Sequence, residues 1–321
     1  MTDAVRTPEA AFDGLPDFPF QARYREWEGL RLAHLDEGDR GAPAVVLFHG
    51  EPTWSFLWRR VIPPLVAAGL RVIAPDLPGF GRSDKPTDVG WYSYDRHTAA
   101  AGALLEDLDV HDALFVVHDW GGPIGLRLAV EAPARCGRIA ILDTGLFTGH
   151  QPMNEAWLAF RAFVARTEDL PVSLLVRRAC ATDPGDAVAR AYDAPYPTPE
   201  SKAGARAFPL ILPTDPSMDG AAAGQRVLDA MRADERPKLV LWARGDPVLP
   251  LDVGRRFARA IGAPEPEVVE GASHFGPRER RHGVLQLGEL VGDVLRDEVA
   301  PHREQLAELH EHGAERLERE A

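Results

Sequence analysis

The residue in this sequence that is best placed to do chemistry is Asp119. It lies between a strand-like apolar run, Ala113–Val117, and an amphipathic helical segment that starts at Pro123. Proline suits a first helical position because its missing N–H would have no partner there. A polar residue between a buried strand and a glycine-rich helix start is typical of a nucleophile elbow. In that turn the side chain projects above the sheet, and the next backbone N–H points to the place where an oxyanion forms.

The type of residue at this turn decides which chemistry it favours. The usual form of the elbow is G-x-S-x-G, and Asp119 takes the place of the serine. A serine that attacked a saturated carbon would form an ether, which water does not readily cleave. A carboxylate forms an alkyl ester, whose carbonyl water can attack. Asp119 therefore indicates displacement at an sp³ carbon, in a carbon–halogen bond or an epoxide. The structural alternative is an aspartate that only caps the following helix.

A second segment supports a catalytic role for Asp119. The residues HGEP at positions 49–52 directly follow the apolar run Ala44–Phe48. A loop at this place supplies a backbone N–H to an oxyanion hole. We predict that the hole is formed by the N–H groups of Glu51 and Trp120.

A histidine and an acid complete the predicted site. His274 follows the nucleophile in the order Asp…Asp…His, after the strand-like run Pro266–Val269, and is the predicted base that activates water. The acid should orient the imidazole and stabilise its charged form. Asp246 lies just past the end of a predicted strand and is the favoured acid. Asp143 also follows a strand and is the alternative, and a helix cap or a turn is the structural interpretation of either.

The elements that must position these residues form an alternating pattern. Strand-like apolar runs separated by helical stretches predict βαβ units, and so an α/β fold with a mostly parallel central sheet and helices on both faces. The strand-like runs are Ala44–Phe48, Arg71–Ala74, Ala113–Val117, Arg138–Leu142 and Lys238–Trp242, and the helical stretches are Leu57–Leu70, Arg96–Leu108 and Gly122–Glu131.

The alternation stops between about residues 147 and 226, where the apolar spacing is helical and proline-rich segments follow. This pattern predicts a helical insertion that covers the carboxyl ends of the strands, where open α/β sheets bind ligands. The predicted organisation is a core in two parts, an inserted cap and a charged extension, with bounds at 1–147 and 228–296 for the core, 148–227 for the cap and 297–321 for the extension.

Composition excludes several classes of protein. The 321 residues include 36 Lys+Arg and 49 Asp+Glu, a net charge of −13. This acidity argues against binding to nucleic acid or to anionic membranes. The two cysteines lie far apart and no secretory signal is recognisable, so a cytoplasmic location with reduced thiols is expected. No apolar run approaches a membrane span. No HExxH is present and the histidines lack ligand spacing, so no metal or organic cofactor is expected.

The sequence resembles the haloalkane dehalogenases of the α/β-hydrolase superfamily, from about Leu15 to Val294. The resemblance rests on HGEPTW, APDLPGFGRSDKP, HDWGG, YDAPYP, KAGARAFP and GASHFG, which occur in the family's order. It implies an α/β-hydrolase fold with an inserted helical cap. It also implies hydrolysis of a haloalkane to an alcohol, a halide and a proton through an alkyl ester of Asp119. His274 would be the base and Asp246 the acid, although another subgroup has its acid near the position of Asp143.

The resemblance also implies a halide site. A leaving halide needs neutral hydrogen-bond donors, and the indole N–H of Trp120 is the first of them. The family pairs it with a tryptophan from the cap, where related enzymes read roughly E-A-F-L-A-W. This chain reads EAWLAF at positions 155–160, so the aromatic residues are exchanged. Phe160 offers only its positive ring edge, and Trp157 is offset by nearly a helical turn. The second halide ligand is therefore open between Trp157 and Phe160.

The expected partners are a small, neutral, apolar substrate and a halide ion. The first alternative function is epoxide hydrolysis by the same Asp–His–acid chemistry, with Tyr192 and Tyr196 of the cap as proton donors to the alkoxide. The second alternative is a catalytically weak α/β-hydrolase that binds a ligand or a partner. The sequence does not indicate the oligomeric state.

Overall fold

The computed structural model describes residues 2–277, and its centre is an eight-stranded sheet. Six neighbouring strands are parallel, and two antiparallel strands complete one edge. In chain order the strands are β1 Arg23–Trp27, β2 Leu30–Glu37, β3 Ala44–Phe48, β4 Arg71–Pro75, β5 Ala113–His118, β6 Cys136–Leu142, β7 Lys238–Ala243 and β8 Glu267–Val269. Their order across the sheet is β8-β7-β6-β5-β3-β4-β2-β1.

The α/β fold and its mostly parallel sheet are confirmed. The five strand-like runs correspond to β3 to β7, with ends that differ by at most two residues. Strand β5 shows why these runs were recognisable, because all six of its residues are buried. It lies between β3 and β6, where Val116 is paired with Leu47 on one side and Ala140 on the other. A strand covered on both faces carries a continuous apolar run.

The first two strands were not predicted. Strand β1 has the sequence RYREW, and none of its five residues is buried. It is the edge strand, next to β2, and charged side chains on an edge prevent pairing with other chains. A strand of this kind lacks the continuous apolar run by which the buried strands were recognised.

The helices were predicted more accurately where no proline interrupts them. The stretches at 96–108 and 122–131 are helical as predicted, whereas Leu57–Leu70 is divided into a 3₁₀ turn and a short helix. Pro63 and Pro64 have no N–H to donate, so they are accepted only in the first turn of the helix. The α-helices are α1 Ile62–Ala67, α2 Tyr94–Asp107, α3 Gly121–Glu131, α4 Glu155–Arg166, α5 Val172–Arg178, α6 Asp186–Asp193, α7 Ala203–Ile211, α8 Ala221–Arg232 and α9 Leu251–Ala260.

Short elements complete the described part of the chain. They are the 3₁₀ turns Glu9–Phe12, Ser55–Trp58, Val89–Trp91, Pro133–Arg135 and Pro199–Lys202, and the two-stranded ladders Ala4–Val5 with Lys85–Pro86 and Ala272–Ser273 with Gly276–Pro277. Within residues 2–277, no helix is both long enough and apolar enough to cross a membrane.

Five helices, α4 to α8, lie between β6 and β7, and we call this segment the helical insertion. It contacts the loops that follow the carboxyl ends of β3 and β5. The indole N–H of Trp54 donates to the carbonyl of Ala191, and the ring of Phe208 stacks on Trp120. The predicted cap boundary at residue 227 lies within α8. The division into core and cap stays a prediction, and residues 278–321, with the predicted extension, lie outside the described residues.

A buried ion pair joins two strands of the sheet. Asp36 of β2 has a side chain only 1% exposed and receives two hydrogen bonds from Arg71 of β4, at 2.8 and 3.2 Å. Arg40 and Arg23 lie farther away, at 3.7 and 4.0 Å. Burial by itself would raise the pKa of Asp36, but the bonds and charge of Arg71 and the charges of the other two arginines lower it. The carboxylate is therefore ionised.

Replacing Arg71 tests the importance of this pair. We expect Arg71→Leu to lower the free energy of unfolding by about 3 kcal/mol, because it leaves a buried carboxylate without its bidentate partner. Arg60 is the control, since it pairs with Asp17 at the exposed surface. Arg60→Leu should change the same quantity by about 0.5 kcal/mol or less. Urea denaturation measures both, and equal effects of the two substitutions would contradict the prediction.

Candidate active site

Asp119 lies in a strained turn between β5 and α3. Its φ of +49° is in the left-handed region, which non-glycine residues rarely occupy. The turn is closed by a hydrogen bond from the N–H of Gly122 to the carbonyl of Asp119, at 2.9 Å. A Cβ atom at position 121 would collide with the backbone of Phe48, and one at position 122 with Thr144. The two glycines are required because the start of α3 passes directly over the ends of neighbouring strands.

The two oxygens of the Asp119 carboxylate have different surroundings. The N–H of Glu51 donates to Oδ1 at 2.7 Å, and the N–H of Trp120 also bonds to the carboxylate. The structure thus brings both predicted oxyanion-hole groups to the predicted nucleophile. Oδ2 lies on the other side, 3.5 Å from Nε2 of His274. A Cβ atom on Gly50 would occupy the place of this carboxylate, which explains the glycine before Glu51.

His274 occupies the turn of the hairpin formed by Ala272–Ser273 and Gly276–Pro277. Its Nδ1 donates to Oδ2 of Asp246 at 2.7 Å, and its ring is almost completely buried. Asp246 is held in turn, because its Oδ1 accepts the N–H groups of Val248 and Leu249 at 2.6 and 2.9 Å. The three side chains form one line from Asp119 through His274 to Asp246.

Of the two candidate acids, Asp246 is the one bonded to the imidazole. Asp143 directly follows β6, and its Oδ1 accepts the N–H of Ala243 at 2.9 Å. Among residues 2–277, the structure has no hydrogen bond between the side chains of Asp143 and His274. Asp143 lies close to Asp246, whose negative charge raises the pKa of the Asp143 carboxyl group.

The charged groups of the site shift one another's pKa values. Burial would raise the pKa of Asp119, but the hydrogen bond and charge of His274 outweigh it and lower the pKa. Burial would lower the pKa of His274, but the negative charges of Asp246 and Asp119 and their bonds raise it well above its ordinary value. Opposite charges at short distance favour each other's ionised form. The resting site therefore holds an ionised Asp119 beside a positively charged imidazole.

His118, which precedes the nucleophile, is a positioning residue that sequence reasoning did not identify. Its Nε2 is 2.8 Å from the carbonyl oxygen of His274, and its ring lies 4.8 Å from the His274 ring. Burial and the neighbouring charge of His274 lower the pKa of His118 to about 4, so it is neutral and Nε2–H donates to the carbonyl. The only signal in the sequence was a histidine at the end of an otherwise apolar strand.

The hairpin turn is also tied to the helical insertion. The N–H of Phe275 donates to the carbonyl of Ala179, which ends α5, at 3.2 Å. The peptide group between His274 and Phe275 is thus held from two sides. His118 of the core bonds to its carbonyl oxygen, and Ala179 of the insertion accepts its N–H.

The ring of Trp120 is packed between aromatic groups. It stacks on Phe208 of α7 with ring centres 4.6 Å apart, and Tyr94 meets it edge-on at 6.4 Å. Within the described residues, the indole N–H of Trp120 has no hydrogen-bond partner. Phe208 is fully buried and was another residue missed by sequence reasoning, although it belongs to the KAGARAFP motif.

The exchanged aromatic residues of α4 both face inward. Trp157 and Phe160 are partly buried and pack against the main hydrophobic core. Neither ring contacts Trp120 within the described part of the chain, so the choice of a second halide ligand stays a prediction. Among residues 2–277, no group of three or more His, Cys, Asp or Glu side chains is arranged to hold a metal ion.

The fold and the site together define an α/β hydrolase. Residues 43–279 match the family model described as the alpha/beta hydrolase fold. The chain is 40% identical over 286 residues to a haloalkane dehalogenase of Mycolicibacterium paratuberculosis, which covers 86% of this chain and 94% of that protein. It is also 40% identical over 249 residues to a haloalkane dehalogenase of Psychrobacter cryohalolentis, with 76% and 82% covered.

A solved structure gives the same result. The haloalkane dehalogenase DpaA from Paraglaciecola agarilytica, described as tetrameric, superimposes with a TM-score of 0.80 at 37% identity, over 85% of this chain and 93% of that one. The chain belongs to the haloalkane dehalogenase family.

The pKa of His274 provides a test of Asp246 as the acid partner. We expect Asp246→Asn to lower this pKa, because the substitution removes the negative charge nearest to Nδ1. NMR titration of protein labelled in its histidine rings measures the change. Asp252→Asn is the control, since Asp252 is exposed on α9 and pairs with Arg256. An unchanged pKa in Asp246→Asn would refute the assignment.

Proposed function

We propose that this chain hydrolyses haloalkanes in two steps, with Asp119 as the nucleophile, His274 as the base and Asp246 as the acid that orients it. The observation that carries this proposal is that the two oxygens of the Asp119 carboxylate have different partners. Oδ1 accepts the N–H of Glu51 at 2.7 Å, while Oδ2 lies 3.5 Å from Nε2 of His274.

In the first step, Oδ2 attacks the carbon that bears the halogen. The new C–O bond forms in line with the breaking carbon–halogen bond, and the electron pair of that bond leaves with the halide. The lowered pKa of Asp119 supports this step, because the attacking group must be ionised. No proton moves, so no general acid is needed. The product is an alkyl ester of Asp119 and a halide ion.

In the second step, His274 removes a proton from a water molecule that attacks the ester carbon of Asp119. The carbonyl oxygen of the ester becomes an oxyanion, which the N–H groups of Glu51 and Trp120 stabilise. Collapse of this intermediate breaks the bond to the alkyl oxygen, which takes a proton and leaves as the alcohol. The carboxylate of Asp119 is restored, and one proton is released overall.

The charge change of the first step prepares His274 for the second. In the resting site the charge and hydrogen bond of Asp119 help to raise the pKa of the imidazole. Once Asp119 is esterified it is neutral, so that contribution disappears and the pKa of His274 falls. A protonated imidazole cannot accept the proton of water, whereas a neutral one can. Formation of the ester therefore lets His274 release its proton to solvent, which is the one proton released overall, and the neutral imidazole then acts as the base.

The halide leaves toward the indole N–H of Trp120. This N–H has no partner within the described residues, and stacking on Phe208 fixes the plane of the ring. The second ligand comes from α4, and Phe160 occupies the position at which related enzymes have tryptophan. The substrate needs no charge for recognition, which agrees with the acidic net charge of the chain.

The alternatives receive less support. Epoxide opening needs a proton donor for the alkoxide, and the two tyrosines named for that role do not bond to Asp119 within the described residues. Among residues 2–277, the hydroxyl of Tyr196 is buried without a hydrogen-bond partner. A protein that only binds a ligand has no need for the assembled line of Asp119, His274 and Asp246.

Trapping the ester tests the function directly. We expect His274→Phe to accumulate a covalent adduct with a bromoalkane such as 1-bromobutane, because the first step needs no base and the second does. Mass spectrometry of the intact protein should show an increase equal to one alkyl group for each chain. Freshly prepared Asp119→Asn should form no adduct and release no bromide.

The control for this experiment is His111→Phe, since the His111 side chain is exposed and pairs with Asp109 at the surface. It should turn over the substrate without accumulating an adduct. Bromide release by the wild-type protein with no trapped ester in His274→Phe would show that His274 is not the base of the second step.

Bromide binding tests the halide site. We expect Trp120→Phe to raise the bromide dissociation constant about tenfold or more, since a hydrogen bond to a charged group contributes about 1.5–3 kcal/mol. Trp157→Phe should change it less than twofold, and Phe160→Trp should lower it. Titration calorimetry measures all three. If Trp157→Phe weakens binding as much as Trp120→Phe does, Trp157 is the second ligand and the proposed role of position 160 is wrong.

A further inference from the structure

A second buried carboxyl group lies behind the line of Asp119, His274 and Asp246. Asp143 follows β6 directly, and Asp246 follows β7 by three residues. These strands are parallel neighbours, with Leu142 paired to Leu241, so their carboxyl ends place the two acids side by side. Both are almost completely buried, and the negative charge of Asp246 acts directly on the carboxyl group of Asp143.

The hydrogen-bond partners of Asp143 and Asp246 indicate which of the two carboxyl groups would carry a proton shared between them. A carboxylate has about four acceptor positions. Asp246 uses two on Oδ1 for the N–H groups of Val248 and Leu249, and one on Oδ2 for Nδ1 of His274. All three partners are donors, so Asp246 acts as an acceptor throughout. Within the described residues, the one hydrogen bond to the Asp143 side chain comes from the N–H of Ala243. A proton shared by the two acids would therefore belong to Asp143.

We propose that Asp143 is a neutral carboxylic acid at neutral pH that donates a hydrogen bond to Asp246, and that it acts as a positioning residue which tunes the basicity of His274. The pair then carries one negative charge, in contact with one imidazole. A second carboxylate at this place would stand beside Asp246 with no cation of its own, because like charges in a buried site cannot both ionise without a large cost.

The surroundings of Asp143 agree with a bound proton. Burial and the adjacent negative charge of Asp246 raise the pKa of Asp143 well above its ordinary value. The charged group that opposes this is His274 on the hairpin, and the N–H of Ala243 acts in the same direction as His274. Together, His274 and the N–H of Ala243 lower the pKa of Asp143 by less than burial and Asp246 raise it. Asp143 also has a φ of +36°, a backbone conformation that asparagine accepts as readily as aspartate.

The consequence for His274 rests on the proposed function. A donor to Asp246 spreads the negative charge of that carboxylate, so it attracts the imidazole proton less strongly. Without the donor, Asp246 holds the proton on Nδ1 and Nε2 more firmly, and the imidazole becomes a base only at higher pH. Asp143 thus sets the pH at which the ester is hydrolysed.

The proton itself is tested without any assay of activity. Infrared difference spectra of wild type and Asp143→Asn at pH 7 should show the carbonyl stretch of a protonated carboxylic acid in wild type only. Asp109→Asn is the matched control, because Asp109 also has a left-handed φ but is exposed. Its difference spectrum should show only carboxylate bands. A carboxylate signal from Asp143 would overturn the proposal.

The pH dependence of the free energy of unfolding provides a second test of the bound proton, and this test does not depend on catalysis. A group whose pKa is higher in the folded than in the unfolded state stabilises the fold below the unfolded value, about 3.9 for aspartate, and loses this effect as the pH rises through the folded value. The unfolding constant of wild type should therefore rise relative to that of Asp143→Asn, by up to about tenfold per pH unit in this interval. A constant ratio from about pH 5 to pH 8 would contradict a bound proton.

The effect on His274 is tested by the pH dependence of ester hydrolysis in single turnovers. Asp143→Ala should move the acidic limb to higher pH, and Asp143→Asn should return it toward the wild-type position, because the amide N–H donates as the acid does. Identical limbs in wild type and Asp143→Ala would overturn the positioning role. If the infrared and stability results are as expected but wild type forms no ester, the proposed function fails while the bound proton stands.

Discussion

A charged imidazole buried between two carboxylates is the interaction on which the rest of this structure depends. His274 lies between Asp119 and Asp246; the side chains of His274 and Asp246 are at most 1% exposed, and that of Asp119 is 16% exposed. Burial of charge costs several kcal/mol per ion unless every group has partners. The loop after β3 supplies a backbone N–H to Asp119, and the loop after β7 supplies two to Asp246. The parallel direction of β3, β5 and β7 meets this requirement, because the loops that follow their carboxyl ends emerge at the same end of the sheet.

In the proposed mechanism, the same arrangement lets one site perform two opposite tasks. The first step needs an anion that is not protonated by its neighbour, and the second needs a neighbour that can accept a proton. A site with fixed pKa values would serve one of these steps poorly. Here each step changes the charge that governs the next, because the charge of Asp119 is present in the resting site and absent in the ester. Each step thus changes the pKa of the group that acts in the next step, and neither step requires the backbone to move.

The parts of the fold and site that were predictable have a strong local signal. Strand β5 is apolar throughout because it is buried on both faces, and Asp119 is recognisable because a polar residue between that strand and two glycines has few structural uses. Strand β1 has no such signal, since an exposed edge strand with charged side chains resembles a loop. The acid was ambiguous for a different reason. Asp143 and Asp246 both follow strands, and only the paths of their loops decide which one reaches the imidazole. Contacts of this kind, like that of His118 with the His274 carbonyl, depend on tertiary structure.

The attachment of the hairpin turn to the helical insertion has a consequence for how such proteins diversify. The bond from Phe275 ends on the backbone carbonyl of Ala179, which any amino acid at that position would supply. Side chains of the insertion are thus free to vary with the shape of the substrate, while the course of its main chain is constrained by the base. An insertion transplanted from a relative would be compatible with this core only if it returned a carbonyl group to the same point in space. A deletion near the end of α5 would therefore remove a contact to the turn that carries His274, whatever side chains it spares.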